Sequence, residues 1–72
     1  MSRIGVTIKN LRLEKGYTQQ DLAYYLYVSP QAISKWEREM NDPDINLLPK
    51  IATYFGVSID HLFNFNQEGD DP

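Results

Sequence analysis

The sequence predicts an all-α domain of five short helices. Apolar residues recur at spacings of three and four, helix-capping residues separate the apolar segments, and no stretch alternates apolar and polar residues as a half-buried strand would. The 72 residues make one domain, near the lower size limit for a chain that folds without disulfides or a bound metal. Apolar residues make up 42% of the chain, enough for a compact core. Because there is no cysteine, disulfides and thiolate metal sites are excluded.

The first helix is predicted over residues 4–15. Ile4, Ile8 and Leu11 stand at positions i, i+4 and i+7, which places them on one face. Gly16 follows, and glycine readily adopts the left-handed conformation that ends many helices.

The second and third helices are predicted to meet at a tight turn. Thr18 is a candidate N-cap with Asp21 three residues on, close to a capping box. Ser29 and Pro30 restart the helical pattern as N-cap and first helical residue. The apolar seam of the second helix is Leu22, Ala23 and Leu26. Helices joined by a turn of about three residues cross at a large angle, which is helix-turn-helix geometry.

Two further helices follow a loop at residues 39–44. The fourth is predicted from Ile45 to Phe55, where Pro49 either kinks the helix or delays its regular start, and Gly56 ends it. Ser58 then caps a short fifth helix. The inward residues of the fourth helix are Leu48, Ile51, Ala52 and Phe55, and the apolar residues of the fifth are Ile59, Leu62 and Phe63.

The third helix, at about residues 30–38, has two chemically different faces. Steps of about 100° per residue separate them. One face carries Gln31, Ser34, Lys35 and Arg38, and the other carries Ile33, Trp36 and Glu37. Glutamine can pair with adenine, lysine with guanine, and arginine with phosphate. A polar helix face is usually only solvated, but the tight turn and the capped helix before it favour the DNA major groove here.

The net charge of −3 argues against nucleic-acid binding until its distribution is considered. Three of the ten acidic residues, Glu68, Asp70 and Asp71, lie in the last seven residues. Residues 1–65 therefore contain 10 − 3 = 7 acidic residues and the same number of basic residues, seven. We therefore predict a neutral domain at 1–65 and an acidic flexible tail at 66–72. No apolar run spans a membrane and no signal peptide is apparent, which favours a soluble, cytoplasmic protein.

Over residues 4–63 the chain resembles the lambda-repressor-like, Cro/phage-repressor (Xre) family of helix-turn-helix domains. The resemblance is carried by Arg12, Gly16, Tyr17-Thr18-Gln19, Leu22-Ala23, Val28-Ser29, Ile33-Ser34-Lys35-Trp36-Glu37-Arg38, Pro43, Ile51-Ala52, Phe55-Gly56-Val57-Ser58-Ile59-Asp60 and Leu62.

The resemblance implies a role for each matched residue. The base-reading residues would be Gln31, Ser34 and Lys35, with Ser29 at the groove edge. The phosphate contacts would be Thr18 and Gln19 at the start of the second helix, and Arg38. Arg12 and Glu37 would form an internal salt bridge. Family members bind as homodimers to pseudo-palindromic double-stranded DNA, with half-sites about one helical turn apart.

The sequence departs from the family at three positions. Tyr27 stands where glycine or asparagine is usual, because a positive φ is often needed there. Glu39 and Met40 replace the small and basic residues that usually follow the recognition helix. We therefore expect a weak phosphate clamp after the third helix.

No residue indicates catalysis, a metal or a cofactor. Trp36 could stack on a base, but its place beside Ile33 favours core packing. Glu37 could act as an acid, but Arg12 as a partner favours a structural role. His61 has no cysteine or second histidine for a metal site. The protein is therefore predicted not to be an enzyme.

The remaining aromatic residues leave alternatives open. The five tyrosines, Tyr17, Tyr24, Tyr25, Tyr27 and Tyr54, form either a protein-contact patch or ordinary cover for a small core. Phe63 and Phe65 are candidates for a dimer seam or for a contact with a missing domain.

The function predicted from these patterns is a sequence-specific DNA-binding transcriptional repressor that blocks its operator by occupancy. The rival is a protein-interaction module on the same fold, of the antitoxin or anti-repressor type. The net charge and the Glu39-Met40 segment favour that rival, whereas the polar face of the third helix argues against it. A small helical enzyme subunit is a distant third candidate.

Overall fold

The computed structural model describes residues 4–63. This part of the chain is helical, without strands, as predicted. The elements are α1 (Ile4–Lys15), α2 (Gln19–Leu26), α3 (Pro30–Glu37), a 3₁₀ turn (Ile45–Leu47), α4 (Leu48–Phe55) and α5 (Ile59–Phe63).

Each helix contributes one fully buried aliphatic side chain to a single core. These side chains are Ile8, Leu22, Ile33, Ile51 and Leu62. α3 packs against both α1 and α2, and α5 packs against α1 and α4. The core therefore fixes the polar face of α3 outward by burying the opposite face.

A glycine allows α1 and α3 to approach closely. A Cβ atom at Gly5 would overlap the carbonyl oxygen of Trp36, so no larger residue fits without moving a backbone. The sequence pattern gave no sign of this requirement, because Gly5 lies within a helix and its neighbour is 31 residues away along the chain.

The fourth helix begins later than the predicted Ile45. Residues Ile45–Leu47 form a 3₁₀ turn, and regular α-helix starts at Leu48 with Pro49 in its first turn. Proline lacks an N–H group, which is harmless only where no intrahelical bond is made. Of the two outcomes foreseen for Pro49, the delayed start is therefore correct.

α5 buries only one of its three apolar residues. Leu62 is fully buried, whereas Ile59 and Phe63 are 41% and 49% exposed. Its cap is as predicted, because Ser58 Oγ accepts a hydrogen bond of 3.1 Å from His61 N. Phe65, the 65/66 domain boundary and the tail at 66–72 lie outside the described residues.

The first four α-helices end in the same backbone motif. A left-handed residue directly follows α1, α2 and α4: Gly16, Tyr27 and Gly56, with φ angles of 76°, 60° and 72°. After α3 the left-handed residue is Glu39, two residues beyond Glu37, with a φ of 61°. In each case, the backbone amide after the left-handed residue donates a hydrogen bond to the carbonyl oxygen five residues earlier. An example is Val28 N, which donates to Ala23 O at 3.0 Å.

Tyr27 adopts the left-handed conformation without packing support. Its side chain is 89% exposed, so no buried contact offsets the clash between its Cβ and the backbone. The strain expected from the family resemblance is therefore present in the turn between α2 and α3.

No helix within residues 4–63 is long and apolar enough to cross a membrane.

We predict that Tyr27→Gly leaves the free energy of unfolding unchanged or raises it by up to roughly 1 kcal/mol, because glycine removes the left-handed strain. Tyr24→Gly is the matched control: its ring is 85% exposed, but its backbone is α-helical, so glycine there should cost about 1 kcal/mol. Urea denaturation of both variants measures the difference. A clear loss of stability for Tyr27→Gly would contradict the strain.

Candidate functional site

α3 presents a continuous polar face to solvent. Ile33, Trp36 and Glu37 are buried on one side of the helix. On the other side, Gln31 and Lys35 lie one turn apart and are exposed. The structure therefore confirms the division of the helix into two faces and the burial of Trp36.

Ser29 begins α3 at the edge of this face. Its Oγ accepts a hydrogen bond of 3.2 Å from Ala32 N, which satisfies one of the unpaired amides of the first turn. The hydroxyl hydrogen of this exposed serine remains available to an external acceptor.

Arg38 lies back against the polar face of α3. Its Nε is 3.2 Å from Ser34 Oγ and 3.4 Å from Ser34 O. This contact holds the base of the guanidinium and uses Ser34 Oγ as an acceptor, which leaves the hydroxyl hydrogen of Ser34 for another acceptor. The sequence analysis missed the contact, although the i, i+4 spacing of the two residues could have suggested it.

The predicted salt bridge joins α1 to α3. Arg12 Nε lies 2.7 Å from Glu37 Oε2, and a second Arg12 nitrogen donates to Glu37 Oε1 at 3.0 Å. The side chains are only 10% and 3% exposed. The hydrogen bonds to Glu37 raise the pKa of Arg12 despite the opposing effect of burial. A third Arg12 nitrogen donates to Tyr17 O at 2.9 Å, so the guanidinium is well satisfied.

Gln19 extends this network to α2. Its Nε2 donates to Glu37 Oε1 at 3.0 Å. The side chain predicted to hold a phosphate therefore also braces the carboxylate of α3. One amide hydrogen of Gln19 is engaged in this way, and the second remains for another acceptor.

The start of α2 borders an open cleft of about 730 Å³. The capping box is formed as predicted, with Asp21 N and Thr18 Oγ1 2.9 Å apart and Thr18 N 2.9 Å from Asp21 Oδ2. The first intrahelical bond comes from Leu22 N. The amides of Gln19 and Gln20 precede it and suit an anion. The cleft is lined by Arg12, Leu13, Gly16, Tyr17, Thr18, Gln19, Gln20 and Pro30.

Within residues 4–63, no group of three or more histidine, cysteine, aspartate or glutamate side chains could hold a metal ion. Of the two candidate dimer residues, Phe63 is exposed at the end of α5. The arrangement therefore offers hydrogen-bond donors and cations on α3, beside free amides at the start of α2.

Comparison with known proteins shows that the chain matches a family model and several related proteins. The family model HTH_3, described as helix-turn-helix, matches residues 8–62. The HTH-type transcriptional activator BcrR of Enterococcus faecalis is 44% identical over 57 residues, covering 79% of this chain and 28% of BcrR. The HTH-type transcriptional regulator ImmR of Bacillus subtilis is 36% identical over 59 residues, covering 82% of this chain and 46% of ImmR. The chain thus spans less than half of either relative.

Two solved structures share the fold. The restriction-modification controller protein C.Esp1396I is 36% identical, with a TM-score of 0.77 over 97% of this chain and 95% of that protein. A chain of the SinR protein/SinI protein complex is 35% identical, with a TM-score of 0.78 over 94% of this chain and 67% of the other.

We predict that Glu37→Ala lowers the free energy of unfolding by about 3 kcal/mol, because it leaves the Arg12 guanidinium buried without its carboxylate. Urea denaturation provides the measurement. Glu14→Ala, which removes an exposed acid from α1, should change stability by less than about 0.5 kcal/mol.

The double variant Arg12→Met/Glu37→Leu tests whether Glu37→Ala loses stability because the Arg12 charge is left unpaired or because the Glu37 side chain is missing. Replacing both charges with apolar groups should recover most of the stability. A Glu37→Ala protein that unfolds at the same urea concentration as the wild type would contradict a structural role for the ion pair.

Proposed function

This chain belongs to the helix-turn-helix family, and we propose that it is a sequence-specific DNA-binding transcriptional regulator that acts as a repressor. The observation that carries the proposal is the exposed face of α3, where Gln31 and Lys35 project opposite the buried Trp36 and Glu37. An α-helix with such a face fits the major groove of DNA. The relatives, one named a transcriptional activator and the other a transcriptional regulator, support DNA-binding regulation.

Base reading is assigned to four residues of the turn and α3. Gln31 matches the donor and acceptor pair of adenine, and Lys35 matches the two acceptors of guanine. Ser34, whose oxygen already accepts from Arg38, donates its hydroxyl hydrogen to a base acceptor. Ser29 donates from the groove edge.

Phosphate binding is assigned to the start of α2 and the end of α3. Thr18 begins α2, and the free amides of Gln19 and Gln20 face the cleft beside it. The second amide hydrogen of Gln19 adds a donor. Arg38 holds a second phosphate with the guanidinium nitrogens that do not contact Ser34.

The proposed mechanism is occupancy without catalysis. A helix seated in the operator blocks polymerase or a competing regulator, and no chemical step is required. Such a protein works where bacterial or phage DNA lies, in the cytoplasm.

We further propose that the protein binds a pseudo-palindromic site as a homodimer. Phe63 and Ile59 leave an apolar surface at α5, and two copies joined there would present two recognition helices. Half-sites about one helical turn apart would then be read together.

We expect Gln31→Ala and Lys35→Ala each to weaken binding to the preferred operator by about 1–3 kcal/mol and to relax preference at one base pair. Arg38→Ala should weaken binding to all sequences and reduce the salt slope by about one unit. Titrations of selected and scrambled duplexes at several salt concentrations measure both effects.

Lys50→Ala is the matched control for charge, because this exposed lysine lies on α4 outside the proposed interface. It should leave base preference unchanged. Unaltered affinity and selectivity in both Gln31→Ala and Lys35→Ala would contradict the recognition-helix assignment.

For the dimer, Phe63→Ser or Phe65→Ser should weaken an association that is weak in solution and strengthened by DNA. Sedimentation equilibrium with and without a two-half-site duplex measures it. Tyr24→Ser removes an even more exposed aromatic ring from α2 and should leave association unchanged. A strict monomer on the two-half-site duplex would refute the proposed dimer.

A further inference from the structure

All five tyrosines of the chain line one open cleft on α2 and α4. Four of them lie within residues 17–27, and the fold brings the fifth, Tyr54, to the same place from α4. The cleft measures about 840 Å³, a size typical of small-molecule sites. Its other lining residues are Gln20, Asp21 and Lys50. We call this the tyrosine cleft.

Three of the rings brace one another. The Tyr54 ring centroid lies 5.0 Å from that of Tyr17 and 4.7 Å from that of Tyr25. Tyr54 also meets the buried Phe55 edge-on at 5.2 Å. This cluster of tilted rings attaches one wall of the cleft to the core, so the wall is formed before any ligand arrives.

Two other rings stand free beside this cluster. Tyr24 and Tyr27 are 85% and 89% exposed, three residues apart at the end of α2. Tyrosine has only two side-chain torsions, so ordering its ring on a ligand costs little entropy. These two rings are therefore suited to closing over an occupant.

The electrostatic character of the cleft favours a cation. The faces of tyrosine rings are electron-rich. Asp21 adds a carboxylate, of which only Oδ2 is engaged, with Thr18 N. Burial raises the pKa of Tyr54, and the charges of Asp21, Tyr17 and Tyr25 add to the rise.

Lys50 is the one cation among the lining residues. It lies one helical turn before Tyr54 on α4, and its ammonium sits on a flexible four-carbon stem that can move aside. Its charge should reduce the affinity for a second cation without closing the site.

From these observations we propose that the tyrosine cleft binds a small organic cation with an apolar, multi-ring body. The ring faces receive the charge, Asp21 complements it, and the apolar body fills the space between Tyr24, Tyr27 and the ring cluster.

Tetraphenylphosphonium and tetraphenylborate test the proposal, because they have nearly the same shape and opposite charge. The aromatic signals of Tyr17, Tyr25 and Tyr54 in carbon–proton NMR spectra are followed as each ion is added. The phosphonium should shift these signals saturably and bind at least about fivefold more tightly than the borate. Since the assay contains no DNA, its result is independent of the proposed regulatory function.

Substitutions that preserve the fold locate the site. Asp21→Asn keeps the capping oxygen but loses the charge, and Tyr24→Ser removes one exposed ring; each should weaken phosphonium binding about two- to fivefold. Lys50→Met should strengthen it. Ile45→Ser, at a 74% exposed apolar residue outside the cleft, should have no effect.

Three outcomes would overturn the proposal: no saturable phosphonium binding, borate binding as tight as phosphonium binding, or wild-type affinity in both Asp21→Asn and Tyr24→Ser. Without saturable phosphonium binding, the alternative occupant of the tyrosine cleft to test next is a protein partner.

Discussion

The orientation of α3 depends on the buried ion pair between Arg12 and Glu37. α3 has only eight residues, too few for a helix to be stable alone, so its direction must come from contacts with its neighbours. Glu37 supplies three of them, accepting two hydrogen bonds from Arg12 on α1 and one from Gln19 on α2. A buried salt bridge is a weak source of net stability, but one that is satisfied on all sides fixes geometry. Here it acts together with the buried Ile33 and Trp36 to hold the face carrying Gln31 and Lys35 outward.

The helix ends impose a second constraint on the same region. The chain reverses after α2 and after α3 through left-handed residues, and neither Tyr27 nor Glu39 is a glycine. Both residues flank α3, whereas Gly16 and Gly56 follow helices whose ends lie farther from α3 in sequence. Tyr27 has a strained left-handed backbone, and its ring also lines the tyrosine cleft. The backbone strain at Tyr27 and the proposed ligand contact of its ring therefore fall on the same residue.

Local features of the fold were predictable from sequence, and features that join distant residues were less so. Caps such as Thr18 and Ser29 depend on neighbours within three residues, and both were predicted. The Arg12–Glu37 pair was predicted only through the family resemblance, since nothing local links residues 25 positions apart. Gly5 against the Trp36 carbonyl, and Tyr54 among the other tyrosines, arise from tertiary packing and left no periodic signal. The positive φ of Glu39 was missed because glutamate gives no sequence cue for it.

In the candidate site, too, local features could be predicted from sequence more readily than tertiary contacts. The two faces of α3 follow from helical periodicity, which fixes the direction of each side chain. The contact between Gln19 and Glu37, which are 18 residues apart, could be seen only in the structure. The contact between Ser34 and Arg38 was missed, although their i, i+4 spacing is compatible with it.

The most direct test of the account is an amide NMR titration of the whole chain with a duplex selected from random DNA. If α3 is a recognition helix held by the ion pair, the largest shifts will fall in residues 18–20 and 29–38, and the signals of Tyr54 and its neighbours on α4 will change little. Shifts concentrated around Tyr24 and Tyr54, with residues 29–38 unaffected, would contradict it.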